Sequence, residues 1–127
     1  MGLLDLLVPG RWSERRLRAF VAAHDGETGV ALAFRYPPHA HLVVRPHRLW
    51  INVVASLDGQ GLGRFSPYGR GPVWVPSAPG DVRLRVTATF DGTELLDVAI
   101  AVHDGEPTVA VVLPSTGDKA RGRLERR

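Results

Sequence analysis

The fold class this sequence predicts is an all-β, antiparallel β-sandwich of about seven strands, immunoglobulin-like in plan, with room for one short N-terminal helix. Three observations carry the prediction. Apolar and polar residues alternate in Val82–Phe90 and again in Leu96–Val102, the period of a strand with one buried and one wet face. Asp-Gly pairs at 58–59, 91–92 and 104–105 follow such runs, and this dipeptide tolerates the positive φ of a tight hairpin. Further short runs are punctuated by Pro-Pro and Pro-Gly at intervals of about ten residues, the spacing of a sandwich.

Taken in order, the chain opens with an apolar segment, residues 1–12, in which Leu3, Leu4, Leu6, Leu7 and Val8 precede Pro9-Gly10. It is too short to span a bilayer and lacks the cationic start and cleavage site of a signal peptide. The expectation is a segment docked on its own domain, without export or a transmembrane helix. Arg11–Ala23 admits two readings. Ser13 is a candidate N-cap, and Leu17, Phe20, Val21 and His24 fall on one helical face. An internal echo argues for a hairpin instead, because His-Asp-Gly-Glu occurs at 24–27 and again at 103–106, each time between apolar runs. The good helix formers of Glu14–Ala23 favour the helix.

Gly29–Tyr36 alternates as a strand and stops at Pro37-Pro38, and His41–Arg45 follows as a short run ended by Pro46. Arg48–Leu57 carries apolar bulk on both faces, Trp50 included, and reads as one central strand. Gln60–Gly71 is the longest irregular stretch. Val73 and Val75 flank Trp74 in a strand that Pro76 and Pro79 confine to an edge. The domain then spans 13–114. Residues 115–127 hold five basic side chains against two acidic ones, which accounts for the whole formal charge of +3, and they read as a disordered basic tail.

The succession of an edge strand, Pro79-Gly80, an alternating strand, a polar turn, a second strand, Gly105-Glu106 and a valine-rich strand resembles the PEGA type of small β-sandwich module, over roughly Leu49–Leu113. That resemblance implies a compact immunoglobulin-like unit serving as a surface or accessory interaction domain without catalysis. It carries over no functional residue.

At 127 residues with 44% hydrophobic and 23% charged content, the chain suits one domain with a substantial core. The absence of cysteine removes disulfides, thiolate metal sites and cysteine nucleophiles, and points to the cytoplasm. No serine lies in a G-x-S-x-G elbow, and no phosphate-binding Gly-rich loop, H-E-x-x-H or dinucleotide fingerprint is present. The expectation is a non-enzymatic module, without cofactor, that binds another protein through Arg64, Phe65, Tyr68 and Arg70 of the Gly-rich stretch. One alternative is a metal-dependent enzyme or small-ligand binder using His39, His41 and His47, since residues two apart on an extended chain point the same way. The other is weak binding of an anionic polymer or membrane surface by the tail, with no specific nucleic-acid readout.

Overall fold

A computed structural model describes residues 14–36, 47–67, 71–116 and 119–127. One helix, α1 (Glu14–Ala22), precedes eight strands: β1 (Gly29–Phe34), β2 (Val53–Leu57), β3 (Gln60–Phe65), β4 (Val73–Pro76), β5 (Gly80–Ala88), β6 (Glu94–Val102), β7 (Pro107–Leu113) and β8 (Arg123–Arg126). They form two four-stranded sheets, ordered β4-β1-β7-β8 and β3-β2-β5-β6. Every pairing is antiparallel except β1 with β7, which run parallel from Gly29↔Pro107 to Phe34↔Val112. No helix among the described residues is long and apolar enough to cross a membrane.

The second sheet is built as its alternation predicts. Val82, Leu84, Val86 and Ala88 of β5 are buried while Arg83 and Arg85 are exposed. On the wet face Arg83 pairs with Asp97 of β6 at 2.5 Å, a cross-strand ion pair beside the register pair Arg85↔Asp97. Its inner side chains meet Val30, Leu32, Phe34, Ala110 and Val112 of the first sheet in one core. β1 differs, since all six of its residues are buried. Its other face lies against α1, where Leu17 packs on Ala33 and Val111, with Val21, Val109 and Leu113 around them. The first sheet is thus a middle layer between the helix and the second sheet.

The C-terminal residues complete this core. β8 pairs with β7 from Leu113↔Arg123 to Ala110↔Arg126, and Leu124 packs on the shared core. Trp50 is fully buried, and its indole N–H donates to the Ala120 carbonyl at 2.6 Å. The Tyr36 hydroxyl donates to the Trp50 carbonyl at 2.6 Å, and burial raises the Tyr36 pKa. Gly122 crosses the face of this tryptophan so closely that a Cβ there would stand 2.4 Å from Cζ2 of Trp50 and 2.8 Å from the Leu113 carbonyl. The Gly122 amide donates to Leu95 of β6 at 3.0 Å, and the Arg126 guanidinium donates to the Ala99 carbonyl at 2.6 Å. Both bonds tie the rim of one sheet to the rim of the other.

Several expectations are corrected. The sandwich is not wholly antiparallel: β1 and β7 belong to distant parts of the chain, so no hairpin dictates their direction. Arg48–Leu57 is not one strand, because Arg48–Trp50 forms a 3₁₀ turn that delivers the Trp50 indole to its acceptor, and only Val53–Leu57 extends. Gln60–Phe65 is an edge strand against β2 rather than irregular chain. Residues 119–127 are not a free tail, since Leu124 and Gly122 seat them on the core. The two His-Asp-Gly-Glu copies diverge in form, the first ending α1 and the second turning β6 into β7, yet Gly26 and Gly105 share a positive φ of 82° and 78°. They lie side by side where β1 and β7 begin, and Thr28 Oγ1 accepts from the Gly105 amide at 2.9 Å.

The Gly122 contact gives a direct check on this closure. Gly122→Ala should destabilise the protein by about 1–3 kcal/mol, the usual cost of overpacking a well-filled site, read as a lower urea midpoint at unchanged slope. An unchanged midpoint would mean that the C-terminal segment is not seated on Trp50.

Candidate functional site

The residues singled out by the sequence do not converge on one site. Phe65 is buried, opposite Val53 in the β2–β3 register, and its ring stacks on Phe34 with centroids 4.2 Å apart. The alternation of an edge strand turns it inward, so it is a core residue rather than a contact for a partner. Arg64, one residue earlier, is exposed. Tyr68 and Arg70 lie outside the described residues, as do His39 and His41. His47 is described, and its ring caps the 3₁₀ turn, Nδ1 accepting from the Leu49 amide at 3.2 Å. That bond gives His47 a structural role. Among the described residues no group of three or more His, Asp and Glu side chains is placed to hold a metal.

His24 does not bond to the backbone of its turn through its ring. It stacks on Trp74 with centroids 4.2 Å apart and 10° between planes, and its Nδ1 lies 2.9 Å from a Glu27 carboxylate oxygen. Trp74 also closes over Gly29, where a Cβ would approach its Cζ2 to 2.7 Å. The histidine therefore fastens the end of α1 to the edge strand β4.

What the fold does bring together is charge and apolar surface, sorted between its two ends. β1, β5 and β7 begin at one end and β2, β4 and β6 finish there, so the turns at 23–28, 58–59, 77–80 and 103–106 cluster, while β8 also runs this way and stops with Arg126 and Arg127 beside Ala110 and Val109. We refer to this as the Asp104 end. It carries Asp25, Glu27, Asp58, Asp81, Asp104 and Glu106, and these turns hold no Arg or Lys. A groove of about 270 Å³ opens here, with Leu57, Val82 and Pro76 beside Asp58 and Asp81. Asp58 is itself committed to the turn, with φ of 48° and a carboxylate that accepts from the Arg83 amide at 2.6 Å.

The opposite end, marked by the β5–β6 hairpin tip, is the Phe90 end. Sequence alternation places Phe90 inside, but β5 stops at Ala88 and the following turn turns the ring outward, leaving it 86% exposed. Ile51, 47% exposed, lies beside it, because the Thr89 amide donates to the Asn52 carbonyl at 3.1 Å. These are the two exposed large hydrophobic residues of the described chain. Around them stand Arg48 on the 3₁₀ turn, Arg64 near the end of β3, and Lys119, Arg121 and Arg123 on the folded C-terminal segment. The N-terminal turn of α1 adds Arg15, Arg16 and Arg18. Among the described residues Glu14, Asp91 and Glu94 are carboxylates at this end, and Glu125 of β8 is ion-paired with Arg127 beside Glu14. The Thr93 side chain and, at 2.9 Å, the Thr93 amide both donate to the Asp91 carboxylate and hold its pKa down.

Glu14 organises part of this cationic surface. It is ion-paired with Arg127 and with Arg35, and the hydrogen bond from Arg127 chiefly lowers its pKa below the ordinary value of 4.5. Sequence reasoning missed Ile51 and Phe90 because periodicity assigned both to buried faces. Comparison with protein-family models, with characterised proteins and with solved structures finds no match to this chain.

The sign of the Glu14 shift fixes a pH dependence. A depressed folded-state pKa stabilises the protein above the ordinary carboxylate value, and the benefit is lost as pH falls through the folded value. Glu14→Gln should therefore destabilise the protein slightly at pH 7, by no more than about 1 kcal/mol because solvent screens the pair. The difference from the unsubstituted protein should shrink in high salt and vanish in acid. A deficit that persists in acid would assign Glu14 a packing role instead.

Proposed function

We propose that this chain is a non-catalytic docking module whose working surface is the Phe90 end. The observation that carries the reading is the coincidence there of two exposed apolar side chains, Phe90 and Ile51, with arginines from the 3₁₀ turn, β3, α1 and the C-terminal segment. An exposed aromatic beside arginines is the composition of binding hot spots, and Phe90 has no packing role that would account for its presence on a turn. The surface is also built on firm ground. Ile51 directly follows the buried Trp50 and Phe90 lies two residues beyond the buried Ala88, so the backbone leading into them is fixed. The immunoglobulin-like plan is part of the same proposal, supported by two facing four-stranded sheets joined by short turns.

Arg64 remains in the surface from the original loop assignment, while Phe65 leaves it for the core. The expected outcome of replacing both Phe90 and Ile51 with serine is the loss of whatever the protein retains from its native lysate at moderate salt. The melting temperature should stay within about 2 °C, because exposed positions contribute little to stability. Retention that survives both replacements would remove the Phe90 end as the working surface.

A further inference from the structure

We infer that the partner of the Phe90 end is the surface of an anionic lipid bilayer; this rests on the docking reading above and names its occupant. Three features of the molecule converge on it. The first is shape. Phe90 stands on the tip of a hairpin, with Asp91 and Gly92 completing the turn, and its ring is left 86% exposed there. A projecting ring suits insertion among lipid headgroups, where aromatic side chains are favoured. A soluble protein partner would have to supply a cavity for it.

The second feature is charge at the same end. Arg48, Arg64, Arg121, Arg123 and Lys119 flank the apolar tip, and the first turns of α1 contribute Arg15 and Arg18, both exposed. Cationic side chains around an inserted apolar group are attracted by anionic headgroups, and each signal alone binds only weakly. Their combination is what a bilayer surface selects and a nucleic acid does not, since phosphate contacts need no exposed Ile51 or Phe90. The third feature is the opposite end. Asp25, Glu27, Asp58, Asp81, Asp104 and Glu106 gather at the far turns, so a negatively charged leaflet repels that end and attracts the other. The whole molecule is thereby oriented with its strands pointing toward the bilayer.

Flotation with lipid vesicles tests this. The protein should bind vesicles of phosphatidylcholine with about 30% phosphatidylserine, should not bind phosphatidylcholine alone, and should be released by salt. Replacing Phe90 and Ile51 with serine should weaken the partition about tenfold or more, while replacing the exposed, uncharged Gln60 at the far end with alanine should leave it unchanged. A Phe90→Trp variant supplies an independent readout, because its fluorescence should shift to the blue on adding the anionic vesicles. Capture of a soluble protein by the Phe90 end with no vesicle binding would overturn the lipid assignment and leave the docking reading standing. Binding to duplex DNA as tightly as to vesicles, indifferent to Phe90, would overturn it in favour of phosphate contacts.

Discussion

The constraint on which the structure depends is the burial of β1 on both faces. A strand whose six residues are all inaccessible needs an apolar layer above and another below, and each is supplied by a different part of the chain. Val30, Leu32 and Phe34 face the second sheet, whereas Ala33 faces Leu17 of α1. Small alanines at 31 and 33 keep that outer side shallow, so a helix of nine residues is enough to cover it. Without α1 the middle layer would present Val109, Val111 and Leu113 to water, which fixes why an otherwise all-β domain retains a helix.

Much of this was legible in the sequence, and where it was not the reasons are physical. The second sheet was readable because each of its strands has one wet face, so that Arg83, Arg85 and Asp97 mark the register in plain alternation. The Asp-Gly turns were readable because their φ requirement is local; Asp58 and Gly59 do adopt positive φ. The helix was readable from composition, while the hairpin alternative drawn from the repeated His-Asp-Gly-Glu was not realised. What failed was everything decided by distant contacts. Trp50 leaves the strand pattern because its indole needs an acceptor, and the one it meets is the carbonyl of Ala120, seventy residues away. The C-terminal segment looks solvated by charge count, yet Leu124, Gly122 and the Ala120 carbonyl seat it on the core beside the β7 ladder.

That seating also changes what the charges mean. Counted along the chain, the basic residues at 119–127 are a tail and those at 15–18 are a helix face. Folded, Arg127 meets Glu14 and joins the two groups, with Lys119, Arg121 and Arg123 toward Phe90 and with Arg126 and Arg127 carried by β8 back along β7 to Ala110 and Val109. The carboxylates undergo the complementary sorting, because every Asp-Gly turn but one falls at the other end. A net charge of +3 thus describes the molecule poorly, and its asymmetry along the strand axis describes it better.

The parallel pairing of β1 with β7 bears on how the chain reaches this state. Its partners, Gly29 and Pro107, are roughly eighty residues apart, and closing so long a loop carries an entropic cost before any contact rewards it. The β5–β6 hairpin closes over a few residues and can form early. Of all the paired strands, β1 and β7 are the farthest apart in sequence, so their meeting carries the largest loop-closure cost in the fold.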